Sequence, residues 1–227
     1  MAKAAQPGLR EKNRQTARDL VLDAAERLLG RGETADFSMR ALAAEAGVGF
    51  ATPFNHFGSK NAIMQALSSR VIARMAARFR EEQPAGDALD RVLAMGRIAV
   101  QLLLEQPEVY KVVVGSLGTA GPTSSSVRPQ SEALWVLALG DLDGIENGMR
   151  NVARARLPGH LAFLFRGCVS FWIAGRLKNG ALGTAFDTSA CIALLGISQP
   201  CRRAYLLRRI TDNEAAGAAE ALPPGGS

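Results

Sequence analysis

"SMRALAAEAGVGFATPFNHFGSK", residues 38–60, is the stretch whose reading decides the fold. Ser38 can cap a helix by accepting a hydrogen bond from one of the unpaired amides of the first turn. In the helix that follows, Met39, Leu42, Ala43 and Ala46 fall on one face. Gly47 stands where helices end in a left-handed residue, and the apolar Val48 pins the turn. A second short helix is expected over 50–56. Gly58-Ser59 breaks it, and Ser59 can cap a longer helix over 60–80. Three residues look out of place. Phe50 is bulky and apolar just after a glycine. Pro53 lies inside the short helix. Lys60 lies in a first helical turn, where a cation opposes the helix dipole at a cost of about 0.3–1 kcal/mol. If the short helix begins near Phe50, Pro53 is still in its first turn, where an amide has no intrahelical partner to lose. A distorted helix is the other outcome.

Upstream, the pairs Leu20-Val21, Ala24-Ala25 and Leu28-Leu29 recur every four residues, and Gly30 and Gly32 end the stripe. A long helix, a short capped helix, a glycine turn and a second short helix form a helix-turn-helix within a three-helix domain. Gly47 lets the two short helices cross closely. Val48, Phe54 and Phe57 are expected to hold the second against its domain. That leaves Phe50, Ala51, Thr52 and Asn55 facing outward, where an asparagine amide can bond adenine at two points and a threonine or apolar group can meet a thymine methyl. Local packing is an equal reading for Phe50. A buried, hydrogen-bonded side chain is a rival reading for His56. In the 60–80 helix, Ile63, Leu67, Val71, Met75 and Phe79 form an apolar stripe. Arg70, Arg74 and Arg78 form a second stripe that reads as a solvated face.

The charge distribution agrees with a polyanion footprint. Residues 1–80 hold 13 Lys and Arg against 7 Asp and Glu, whereas the remaining 147 residues hold 14 of each, so the whole excess of +6 lies in the first third. A solvated basic face would look the same. Beyond Pro84 the pattern stays helical and shows no period-two strands. Helices are expected over 87–105, 107–117, 128–147, 158–179 and 184–199, with a loop over 115–126 and a helix bent or ended at Pro200. The fold class is all-α: a basic disordered arm (1–12), a helix-turn-helix domain with a connecting helix (13–80, motif 38–57), a helical effector-binding and dimerisation domain (81–210) and a disordered tail (211–227). The longest apolar stretch is shorter than a membrane span of about 20 residues, and the N-terminus lacks an apolar signal core. A cytoplasmic chain is expected. Cys168, Cys191 and Cys201 are too few and too scattered for a disulfide framework.

Residues 18–67 resemble the tetracycline-repressor (TetR) family of bacterial regulators. The likeness rests on an Ala-Ala helix, a glycine, a Ser-capped helix, "Ala-Gly-Val", an aromatic-x-His-Phe block and a Ser-Lys pair, in that order and spacing. It implies DNA contacts from Ser38 and Arg40 at the start of the first motif helix, base reading from Gly49, Phe50, Ala51 and Thr52, and further contacts from Phe54, Asn55, His56 and Lys60. Phe54 stands where the family usually has a tyrosine, whose hydroxyl often bonds a phosphate. Gly49 stands where serine is common, and Pro53 replaces an aliphatic residue. Lys60 has a physical rationale of its own: a lysine beside the free amides of a helix start makes a two-part phosphate clamp.

The same resemblance implies a ligand-responsive repressor that binds a palindromic operator in double-stranded DNA as a homodimer. Phe163, Gly167, Phe171, Ala174 and Gly175 are candidates for the dimer interface. Met95, Tyr110, Trp135, Phe163 and Trp172 are candidates for a small, apolar effector site, although each also reads as core. An all-helical ligand-binding or scaffold protein that has lost DNA binding is the alternative. An enzyme is not expected: the two histidines, His56 and His160, form no metal-binding spacing, and Val114-Gly-Ser-Leu-Gly118 misses the nucleophile-elbow pattern at its first position. No cofactor or metal is expected.

Overall fold

The computed structural model describes residues 8–31, 37–118 and 127–221. The expected arm and tail lie partly outside these ranges, as does most of the expected 115–126 loop. Among the described residues the chain forms ten α-helices: α1 (Leu9–Gly30), α2 (Met39–Ala46), α3 (Ala51–Phe57), α4 (Lys60–Glu82), α5 (Ala88–Glu105), α6 (Pro107–Gly115), α7 (Val127–Leu139), α8 (Arg150–Ile173), α9 (Asn179–Leu195) and α10 (Pro200–Ala221). They form two compact units. The first comprises Met1–Ser68 with Glu108–Ser124, and the second comprises Ser69–Pro107 with Ser125–Ser227.

The first unit is built on α1. Val21, Leu22, Ala24, Ala25 and Leu29 are the buried edge of its four-residue stripe. They share one core with Phe37, Leu42 and Ala46, with Ile63, Met64 and Leu67 of α4, and with Val109 and Val113 of α6. Recruitment of α6 was not visible in the sequence, because its Val-rich face would suit any helical core.

The second unit packs α5 against α7 and α9, α7 against α8, α8 against α9, and α9 against α10. Its centre is aromatic: Trp135 stacks on Phe186 at 5.3 Å between ring centroids, and Phe165 meets Phe186 edge-on at 5.4 Å. Gly96 of α5 lies directly under the Phe186 ring, so a methyl group there would collide with it. Helix α10 buries Leu206 and is otherwise fastened by charge. Arg202 pairs with Asp87 and Asp90 at 2.8 and 2.7 Å. Asp187 accepts from Arg209 at 2.6 Å and from Asn213 at 2.8 Å, and this carboxylate holds the guanidinium firmly protonated. Burial and the same carboxylate push the neighbouring Cys191 thiol up to about 11.

Several expected boundaries move. The helix expected over 128–147 ends at Leu139, because Gly140 and Leu142 turn left-handed at φ 51° and 64°. Leu142 and Ile145 are then buried as part of the turn. Helix α8 starts at Arg150 and runs through Pro158, which had been expected to open it. The neighbouring α9 starts at Asn179, earlier than residue 184. Pro200 does not end a helix but begins α10, a first-turn position where its missing N–H costs nothing. That helix continues to Ala221 through much of the expected tail, and α1 begins at Leu9 within the expected arm. No helix among the described residues is long and apolar enough to cross a membrane.

The Gly96–Phe186 contact is directly testable. Gly96→Ala adds one methyl group to a filled core and is expected to destabilise the fold by about 1–3 kcal/mol. The lower urea midpoint, at unchanged slope, measures it.

Candidate nucleic-acid interface

The geometry of the motif is set by its caps. Ser38 Oγ accepts from the Ala41 amide at 3.1 Å. Phe37, just before the cap, and Leu42, four residues after it, are both buried in the same core and form a hydrophobic staple. At the other end of α2, Gly47 is left-handed at φ 64°. Its amide donates to Ala44 O at 3.1 Å and that of Val48 donates to Ala43 O at 3.1 Å, which closes the helix end and turns the chain. Arg27 and Arg31 of α1 both bond the Glu45 carboxylate, at 2.8 and 2.9 Å, and hold it below the usual carboxylate range. This three-membered cluster ties α2 to α1.

Helix α3 is continuous through Pro53, so the distorted-helix alternative is not what the structure shows. Pro53 is the third residue of the helix, where no intrahelical acceptor waits for an N–H. It is also the buried residue of α3. Phe57, four residues on, packs on the core, as does Val48. The Arg18 guanidinium lies 4.4 Å from the Phe57 ring centroid, and Arg18 also donates to the His56 carbonyl at 3.4 Å. The expectation for Phe54 needs correcting. Its ring is 45% exposed and does not anchor the helix; Pro53 takes that part. Helical spacing explains the exchange, because residues 53 and 57 share one face and residue 54 is turned about 100° away.

Phe50, 59% exposed, stands at the N-terminal boundary of α3 and meets the Phe54 ring edge-on at 5.9 Å. Ala51 and Asn55 are exposed, whereas Thr52 and His56 are half-buried. Gly49 accepts from the Thr52 amide at 2.8 Å, which closes the first turn without a side-chain cap. Ser59 Oγ caps α4 by accepting from Ala62 at 3.2 Å. The Lys60 ammonium sits 4.8 Å from the centroid of Phe37. This contact puts the start of α4 beside the start of α2, where Ser38 and Arg40 are exposed. Arg18 and Phe37 were not among the residues singled out in the sequence. The apolar residue before a Ser cap is the signal that could have found Phe37.

Arg74 and Arg78 both bridge to Glu105, at 3.2 and 3.1 Å, so much of the arginine stripe is engaged within the second unit. Of the proposed effector residues, Met95, Trp135 and Trp172 are buried in the core of the second unit and Tyr110 is buried in the first. Trp172 Nε1 donates to Asn179 at 2.8 Å. These four line none of the described grooves; Phe163 lines two of them and is exposed. Of the proposed dimer residues, Phe163 and Phe171 are exposed on α8 and Gly167 lies between them, while Ala174 and Gly175 follow the helix end. Among the described residues no group of His, Cys, Asp and Glu is placed to hold a metal ion.

A capped α2, a left-handed glycine turn and an α3 with one buried and one exposed edge define a helix-turn-helix DNA-binding regulator. Residues 21–67 match the family described as bacterial regulatory proteins, tetR family. Over 76% of this chain and 95% of the other, the fold is similar to a TetR transcriptional regulator from Rhodococcus sp. RHA1, at 25% identity and a TM-score of 0.60. Two further likenesses concern the fold alone. One is the TetR family protein CprB from Streptomyces coelicolor in complex with its operator (17% identity, 91% and 98% coverage, TM-score 0.50). The other is a gamma-butyrolactone receptor described as ArpA-like (14% identity, 90% and 99% coverage, TM-score 0.50). No curated protein matches the chain. The motif and the shared helical fold make this chain a TetR-family transcriptional regulator.

Ser38→Ala removes the α2 cap and is expected to cost about 0.5–2 kcal/mol. A chemical denaturation midpoint that does not fall would show the cap to be idle.

Proposed function

We propose that this chain is a ligand-responsive repressor that binds a palindromic operator as a homodimer. The observation that carries the reading is the arrangement of three adjoining helix starts. Helix α3 is seated by Pro53 and Phe57 and turns Phe50, Ala51 and Asn55 outward. Beside it, the starts of α2 and α4 present Ser38, Arg40 and Lys60. In this reading Ser38, Arg40, Lys60 and His56 meet the sugar–phosphate backbone, whereas Gly49 to Thr52, with Phe54 and Asn55, face the bases. Backbone contacts fix the register of a protein on DNA, and base-edge contacts carry the sequence information.

Support for a dimer comes from the second unit. Phe163, Phe171, Ile192, Val152 and Val136 are large, apolar and exposed. Phe163 and Phe171 flank a groove of about 470 Å³ that Gly167 and Ala185 also line. An apolar band of this kind suits a second copy. Two-fold symmetry would then set the copies of α3 at the spacing of one DNA turn, about 34–36 Å.

The effector reading is supported by a groove of about 470 Å³ between α5, α9 and α10, lined by Leu93, Val100, Phe186 and Tyr205 among others. Phe186 stacks on Trp135, so a ligand seated there bears on the aromatic centre. An effector favouring a conformation with misplaced α3 copies releases DNA, and its differential affinity for the two conformations sets the extent of release. Regulators of this family are typically non-enzymatic, and the reading assigns no catalytic role.

Two measurements test the assignment. Binding to a duplex from upstream of the chain's own gene is expected to weaken steeply with salt. Lys60→Ala weakens binding to all duplexes and lowers the salt slope by about 1, while Asn55→Ala changes base preference instead. Identical behaviour of the two variants would remove the division of roles. Phe171→Glu buries a charge in the proposed interface and is expected to give a monomer by light scattering. A variant that remains dimeric moves the interface elsewhere.

A further inference from the structure

Helix α3 lacks much of the chemistry that DNA readers use. Its seven residues, ATPFNHF, contain no Arg, Lys, Gln, Asp or Glu. Guanine is read in the major groove by paired donors from Arg or Lys to its O6 and N7, and cytosine by a carboxylate that accepts from its amino group. The helix can do neither. What it exposes is apolar surface and one amide. Residues 50 and 54 lie one turn apart, as do 51 and 55, so Phe50, Ala51, Phe54 and Asn55 form two adjacent columns on the face opposite Pro53 and Phe57. His56 stands in the last turn, half-buried, with its ring 6.4 Å from that of Phe57.

Two phenylalanines exposed on a surface helix take no part in the core. They leave apolar area in water that burial elsewhere would remove. In the major groove the apolar feature of a base edge is the thymine C5-methyl group, and aromatic or aliphatic side chains meet it. The Phe54 ring abuts Phe50 edge-on at 5.9 Å and 62°, which restricts where the Phe50 ring can turn. Asn55, in the neighbouring column, supplies the donor and acceptor that match adenine.

We infer that α3 is a reader of A·T pairs in which Phe50 selects thymine through its methyl group, Asn55 selects adenine, and Phe54 is a positioning residue that fixes the Phe50 ring. The inference rests on the DNA-binding reading above and adds the class of base pair the helix selects. The replacement of a tyrosine by Phe54 then exchanges a phosphate bond for a firmer apolar wall. Arg40 and Lys60 lie outside α3 and supply affinity without specifying its base pairs.

The test uses the full-length chain and a randomised duplex pool. Selected sites are expected to specify A·T pairs at the positions where Asn55→Ala and Phe50→Ala alter preference. Each thymine there is then replaced by deoxyuridine, which removes the methyl group and keeps the pairing. One buried methyl is worth about four-fold in affinity. That loss is expected with the native chain and is expected to vanish in Phe50→Ala, while the salt slope of that variant stays unchanged. Phe54→Ala narrows the thymine–deoxyuridine difference, and Phe54→Tyr restores it. Both positions are exposed, so circular dichroism is expected to match the native chain. Specified G·C pairs under α3, or a full thymine–deoxyuridine difference in Phe50→Ala, overturns the inference while leaving the regulator reading intact. Failure to bind any pool duplex in a salt-sensitive way overturns both.

Discussion

The arrangement of the DNA-binding unit depends on the seating of one seven-residue helix. A helix of that length has almost no stability in water, since nucleation costs more than two turns of hydrogen bonds return. Helix α3 persists because Pro53 and Phe57 lie on the core that α1, α2 and α4 build, and because Gly47 and Gly58 bring the chain in and out at sharp left-handed turns. Proline suits this task. It adds apolar volume at the buried edge, fixes its own φ, and removes an amide that the first turn could not have satisfied. Everything the unit can present to a partner follows from which edge of α3 is thereby left outside.

Charge in the first third is partly structural. Glu45 engages Arg27 and Arg31, and Arg18 is laid over Phe57. These arginines hold helices in place. Exposed ion pairs are individually worth little, but a carboxylate shared between two guanidiniums fixes the crossing of α1 and α2 more firmly than one pair could. Lys60 is different. Its position at a helix start is electrostatically unfavourable in the free protein, and the Phe37 ring offsets part of that through a cation–π contact. A phosphate arriving there meets a cation that is already positioned beside free helix amides.

The second unit divides its aromatic residues between two uses. Trp135, Phe165 and Phe186 fill the centre, and Gly96 makes the space that Phe186 occupies. Phe163 and Phe171 lie on the same helix as Phe165 yet face outward. Helix α8 therefore has apolar side chains around much of its circumference, as expected of a helix with neighbours on more than one side. Asp187 joins α9 to α10 through Arg209 and Asn213, and its charge makes the adjacent Cys191 a poor nucleophile.

The sequence by itself determined the all-helical class, the helix-turn-helix, its caps at Ser38 and Ser59, the glycine turn, and the exposure of Phe50 and Asn55. These are local matters: caps, turns and helical periodicity act within a few residues, and they survive any tertiary context. Phe54 was misread because an aromatic residue beside a proline offers two candidates for one buried edge, and only the crossing of α3 over α1 and α2 decides between them. The ends of α7, α8 and α9 were misplaced for a related reason. Gly140 and Leu142 become left-handed because the 140–149 turn is packed into the core, and Pro158 is carried inside a helix whose neighbours hold it. The capture of α6 by the first unit, the ring of Phe37 beneath Lys60, and the two facings of the α8 aromatics were likewise left to tertiary structure. Each depends on which of several equivalent apolar faces meets which, and a linear pattern does not encode that choice.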